Sequence, residues 1–460
     1  MARLRKLVVP IGLVLLAAAV WLVYQLVIVP TQSQPIVKAD SWDEVKQYQY
    51  EMTPGLERAE KLKLTRNYDH VMQIPGTDDT LVLHEVWYSS ELVYILYSVD
   101  AESSWSGGVK PLLSNVSFRI ANEQADSSPG MYTLNWHPGE GIYYKGRLYG
   151  RLATNPLMDK DNKILSEVPS ITIERLIIQQ GNEQQSLKDV TFRLNYSAAD
   201  ERVETFPVDQ SYEALDHTIR FDRLEMGPNH LKLYLDADSR LAGEKYYGAT
   251  VSLRTNEGEV REGNMNTNID DGEKYIQFQP LNKRPTEMSL EVKSLRYVNP
   301  AHLLKFAVEG QYQYNQVVKK SGENYNINTD KKLATVGQTD AYLEELYYDD
   351  RGVSFTIEYK TKKMKRPYIK LYADSPSIKL RGMEEQNEQT LQPPNLVQVI
   401  NDKGEQAEYG QAGSGPGDRF SVFIDIESVK TSKSLDVTVS NLITELVTDW
   451  KTDIAIPPGD

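Results

Sequence analysis

Leu83-His-Glu-Val86-Trp-Tyr-Ser-Ser-Glu-Leu-Val93-Tyr-Ile95-Leu-Tyr97 has an apolar spacing that returns twice along the chain. Phe221, Leu224, Leu231, Leu233 and Leu235 repeat it, as do Leu343, Leu346, Val353, Phe355 and Ile357. In the second half of each copy every second position is apolar, as on a strand with one face in a core. Turn residues separate the halves: Ser89-Ser90-Glu91, Gly227-Pro228-Asn229 and Asp349-Asp350-Arg351-Gly352. Each copy therefore opens with a hairpin.

A second element recurs in the same order: Ile171, Ile173 and Leu176; Leu290, Val292 and Leu295; Val437, Val439 and Leu442. A closing apolar strand follows each: Val190, Phe192 and Leu194; Leu304, Phe306 and Val308; Trp450, Ile454 and Ile456. Copies two and three also share a central strand and turn. These are Val251 and Leu253 before Asn256-Glu257-Gly258-Glu259, and Val397 and Val399 before Asp402-Lys403-Gly404-Glu405. In copy one the nearest match is Val116-Ser-Phe118-Arg-Ile120. Short strands with turn signals, three times over, predict a mainly β chain of three tandem antiparallel β-sandwiches of immunoglobulin-like type. Their expected spans are 66–205, 206–310 and 311–460, with linkers at 198–211 and 310–338.

The other decisive stretch is the N-terminus. Arg3, Arg5 and Lys6 precede a mostly apolar run from Leu7 to Val29, and no acidic residue occurs before Asp40. A helix over that run is about 34 Å long, enough to cross a bilayer. The positive end marks residues 1–6 as a cytoplasmic tail and places the bulk of the chain outside the cell membrane. A cleaved signal peptide is the competing reading, through Ala17-Ala18-Ala19, but the apolar run continues past that point. Residues 31–65 read as a juxtamembrane linker and helical stalk resting on the first module. Ser41-Trp42-Asp43-Glu44 has the form of a capping box, and Thr53 before Pro54 marks a second helix start. Leu56, Ala59 and Leu62 share one face of that helix.

Of the net charge of −14, the first thirty residues contribute three positive charges, leaving −17 on the remainder. Such a surface disfavours nucleic acid and other polyanions. Cysteine is absent, which excludes disulfides, thiolate metal sites and cysteine nucleophiles. His70, His84, His137, His217, His230 and His302 lack metal-ligand spacing, and no His-Glu-x-x-His or Gly-x-Ser-x-Gly occurs. Gly413 to Gly417 has no Lys-Ser or Lys-Thr after it, so it is no phosphate cradle. Asp159-Lys160-Asp161-Asn162 and the stretch Asn266 to Gly272 resemble calcium loops only loosely. No catalytic, metal or cofactor residue is therefore assigned. One stretch mixes aromatic and basic side chains: Gly141-Ile-Tyr143-Tyr144-Lys145-Gly146-Arg147-Leu-Tyr149. It suits stacking on sugar rings, anchoring of a partner, or simply a strand with Tyr outward.

The segment Leu81 to Tyr97 resembles the opening hairpin of an uncharacterised ectodomain family in membrane-anchored proteins of Gram-positive bacteria. Copies two and three resemble the immunoglobulin-like domains that often follow it. Some members of that family are anti-sigma-like regulators, with a zinc-binding or sigma-binding segment before the membrane helix. Here only Met1 to Lys6 stand there. The resemblance thus implies the ectodomain type. The resulting expectation is a non-enzymatic, single-pass envelope protein, held in the lipid bilayer by its N-terminal helix, with a protein or cell-wall partner and no cofactor. An accessory role in transmembrane signalling and an envelope hydrolase are the alternatives.

Overall fold

The computed structural model describes residues 37–100, 112–114, 117–120, 141–159, 163–174, 176–180, 183–241, 243–263, 268–270, 273–321, 324–362, 364–374, 377–378, 395–414 and 418–458. The apolar run 7–29 and tail 1–6 lie outside them. Among the described residues no helix is long and apolar enough to cross a membrane. The fold is mainly β, with several separate sheets. The chain divides into two compact units, at Arg202 and Val203.

The three hairpins form as their spacing implies, and share one irregularity. Leu83 faces Tyr97 and Val86 faces Ile95; Phe221 faces Leu235 and Leu224 faces Leu233; Leu343 faces Ile357 and Leu346 faces Phe355. A step of three residues on one strand thus lies opposite a step of two on the other. That mismatch requires a β-bulge, which occurs at the same place in all three copies. The bulge sets His84-Glu85, Asp222-Arg223 and Glu344-Glu345 opposite the single residues Leu96, Tyr234 and Thr356.

The strand before each hairpin has its own bulge, where an aspartate takes left-handed backbone: Asp69 at φ 46°, Asp209 at 46° and Asp330 at 40°. Asp tolerates that conformation better than bulkier residues do. These edge strands, Thr65–Gln73, Glu204–Ala214 and Tyr325–Val336, are otherwise largely exposed. The last two correct the expected linkers: residues 204–211 of the linker expected at 198–211 are strand, and 310–338 holds the helix Gln311–Ser321 followed by a strand. Their few apolar residues concealed them, since an edge strand needs only every second side chain in the core.

In the first unit one core joins the hairpin sheet to the strands Glu167–Glu174 and Val190–Ser197. Ser117–Ile120 pairs beside them, with Phe118 opposite Ile173 and Ile120 opposite Ile171. The central strand of the hairpin sheet is buried on both faces. Every residue from Val93 to Val99 is buried, whereas the equivalent strands Leu231–Ser239 and Gly352–Thr361 alternate. The cover is the segment expected to be a stalk. Ser41 caps the helix Trp42–Met52, and Glu44 accepts from the Asp40 amide in return. The second helix, Leu56–Lys61, starts two residues beyond the Thr53-Pro54 signal, after Gly55 at φ 88°. Its Leu56 and Ala59 pack on Trp87, Tyr94 and Leu96. These helices therefore belong to the first unit's packing.

The second unit corrects the boundary expected at 310/311. The closing strand of copy two, Leu304–Glu309, pairs with Ser434–Ser440 and lies in the third core. The closing strand of copy three lies in the second core through Ile454 and Ile456, with Trp450 stacked on Phe221 at 5.7 Å. The two copies thus exchange closing strands. Copy one keeps its own, with Val190 opposite Ile173. The registers are equivalent: Trp450 opposite Val292 and Leu304 opposite Val439 fill the same position. The crossing runs along Glu287–Asn299 and Leu442–Ala455, which pair antiparallel over their whole length.

Candidate functional site

Polar side chains gather on the outer face of the first hairpin sheet, where the helices leave part of it uncovered. The bulge is the local cause. It turns two successive side chains, His84 and Glu85, away from the core residues Leu83 and Val86.

Under the helices, Glu85 is buried and takes an ion pair from Lys46 at 2.9 Å. Lys46 also pairs with Glu60, and the Tyr50 hydroxyl donates to Glu60 at 2.7 Å. Burial pushes the Glu60 carboxyl above its ordinary value, and the hydrogen bond from Lys46 offsets part of that. Burial likewise raises the Tyr94 phenol, helped by the carboxylates of Glu85 and Glu60. This half is a closed ion cluster that ties the helices to the sheet.

On the open half, His84 Nδ1 lies 2.8 Å from Asp69 Oδ1, and its Nε2 lies 2.8 Å from Ser98 Oγ. A carboxylate only accepts, so Nδ1 carries a proton, and in the neutral ring Nε2 accepts from the hydroxyl. This is the hydrogen-bond order of a Ser-His-Asp triad. The hydroxyl, however, has no access. Ser98 is 0% exposed, and the Arg147 Nε donates to its Oγ at 2.8 Å. Ser98 also sits mid-sheet, with Val82 on one side and Tyr149 on the other. An oxygen so enclosed is out of reach of a carbonyl carbon. Asp100 completes the polar row. Burial opposes its ionisation, yet hydrogen bonds from the Thr80 hydroxyl and amide, with the Arg147 charge, hold its carboxyl below the usual range.

What stays open beside this row is aromatic. Trp42, the first residue of its helix, rests on Tyr149 at 5.3 Å and 70°, on Tyr144 at 6.4 Å and on His84 at 6.4 Å. It remains 39% exposed. Tyr144 and Tyr149 come from the aromatic and basic stretch noted in the sequence. It folds as two strands, Ile142–Tyr144 and Arg147–Thr154, around Lys145 and Gly146 at φ 45° and 79°. Lys145 stands 5.0 Å from the Tyr144 ring centre.

The equivalent face of copy two is open and charged. Arg223 lies 3.7 Å from the Tyr234 ring centre and pairs with Glu273 at 2.7 Å. Arg220, Asp222, Leu235, Asp236 and Lys274 complete the lining of a shallow groove of about 260 Å³. Elsewhere in this unit, His217 and Glu244 form a buried pair at 2.8 Å. His137, Lys160 to Asn162 and Gly415 to Gly417 lie outside the described residues. Among the described residues no three His, Asp or Glu side chains are grouped to hold a metal ion. The Asp69–His84–Ser98 line was missed in the sequence. Its members come from three strands, and only the two bulges align them.

Among solved structures the chain is similar to a conserved domain protein from Bacillus anthracis. The identity is 14%, the match covers 53% of this chain and 82% of that one, and the TM-score is 0.28. No protein-family model and no curated protein matches the chain.

Proposed function

We propose that this is a non-enzymatic, single-pass membrane-anchored protein whose three immunoglobulin-like β modules stand outside the bacterial cell and act by recognition at the envelope. Residues 7–29 are the membrane helix, and residues 1–6 stay in the cytoplasm. The partner is a protein or a cell-wall component, and the −17 charge beyond residue thirty disfavours nucleic acid. One contrast carries the reading: on the outer face of the first sheet Ser98 is sealed, while Trp42 beside it is open. A sealed hydroxyl serves structure. A half-exposed indole held by three rings serves binding, because its contact area is already ordered.

The hydrolase reading has one observation in its favour, the Asp69–His84–Ser98 order, and the closure of Ser98 weighs against it. Crosslinking of the full chain in intact cells, followed by identification of the adducts, tests the proposal. One recurrent envelope protein or cell-wall fragment is expected. Ester or amide turnover by the purified full chain that Ser98→Ala abolishes would overturn it.

A further inference from the structure

We infer that the open half of the first sheet's outer face is a platform for a neutral glycan chain, with Trp42 as its stacking ring. The inference rests on the envelope reading above and names the ligand of that site.

A sugar ring presents an apolar C–H face and a rim of hydroxyls. A protein surface that takes it needs an immobile aromatic ring beside polar groups that both donate and accept. Trp42 is such a ring, wedged against Tyr149, Tyr144 and His84. Two chains of contact lead away from it. On one side Tyr144 continues the aromatic surface, with the Lys145 ammonium beside it as donor. On the other side His84 leads to the Asp69 carboxylate, whose side chain is 75% exposed and is held by His84 Nδ1. Asp69 is thus an oriented acceptor.

Trp42 is 39% exposed on the outer face of the sheet, which suits a polymer lying across it better than an enclosed small molecule. The charge selects the kind of polymer. Asp69 binds the His84 ring that touches Trp42, and the chain beyond residue thirty carries −17, so an anionic polymer is disfavoured despite Lys145. A peptide helix would need a broad apolar stripe. Val71 and Val82, paired on the adjoining strands, supply only a short one.

The probe is chitohexaose, a neutral β-linked oligosaccharide, titrated calorimetrically into the full chain in detergent. Saturable binding is expected, weakened about tenfold or more in Trp42→Ala and Tyr144→Ala, and less in Trp42→Phe. Because the ligand is uncharged, raising salt should leave the affinity unchanged. Arg223→Ala, on the equivalent face of copy two, should bind as the parent does. Absence of saturable binding up to about 10 mM overturns the inference, as does parental affinity in both alanine variants. A photo-crosslinker at position 42 that captures a protein in intact cells also overturns it. In that last case the envelope reading stands and only the glycan falls. Evidence that the modules lie inside the cell would remove the envelope reading whatever the glycan result.

Discussion

Asp69, Asp209 and Asp330 do the same work in three modules with different neighbours. Each holds left-handed backbone at the bulge of an edge strand, and each faces a basic group: His84 at 2.8 Å, Arg220 at 3.7 Å and Lys360 at 3.4 Å. Two of the partners are exposed and variable, so backbone conformation is the common cause. Asp209 gives the cleanest test. Asp209→Gly should stay within about 1 kcal/mol of the parent in urea unfolding, and Asp209→Val should lose about 1–2 kcal/mol. Glu244 is the opposite kind of residue, buried and saturated. His217 Nε2 lies 2.8 Å away, and Ser239, Thr444 and Asn299 donate at 2.6, 2.9 and 3.1 Å. Burial opposes its ionisation, but the bonds from His217, Ser239 and Thr444 outweigh it and hold the carboxyl below its ordinary 4.5. The folded value lies below the unfolded one. Glu244 therefore stabilises the fold above the unfolded value, and that contribution is lost as pH falls through the folded one. Glu244→Gln should cost about 1–3 kcal/mol at neutral pH, and its deficit against the parent should shrink in acid.

The strands and helices show what apolar spacing encodes and what it leaves open. The five-residue pattern beginning at Leu83 was legible as a hairpin, and its three-against-two mismatch already contained the bulge. The run Val93-Tyr-Ile-Leu-Tyr97 reads by spacing as a strand with one buried face, but it is apolar at every position, and the structure covers it on both faces. Ser41 and Glu44 marked the helix that covers it. Leu56→Ala, at the centre of that cover, should cost about 2–5 kcal/mol in urea unfolding. The strand exchange was not legible. Spacing says which slot a strand fills, and Val292 and Val439 offer equivalent slots in two similar modules. Only the lengths hinted at it, since Glu287–Asn299 and Leu442–Ala455 exceed what one sheet edge uses. Trp450→Ala should therefore weaken the second module, although it lies in the last strand of the chain. A loss of about 3 kcal/mol is expected, with faster amide exchange at Val251 and Leu290. Exchange confined to residues around Val437 would contradict the assignment.

At the scale of the molecule, the second unit leaves and returns at one place. Arg284 binds Glu204 at 2.7 Å and donates to the Pro457 carbonyl at 2.7 Å, so the first and last strands of that unit are clasped together. The third module is thereby an excursion from the second, and the pair should unfold in a single transition. The candidate site was only half visible in the sequence. Tyr144 and Tyr149 stood out as a cluster, but Trp42 lies a hundred residues away and joins them only because its helix closes over the sheet. The functional account depends on which side of the membrane these surfaces face. The chain has no cysteine, so one introduced thiol reports its own location. Lys403→Cys, on an exposed turn, should react with a membrane-impermeant maleimide in intact cells, while Ala2→Cys should react only after lysis. Labelling of position 403 only after lysis would contradict the account.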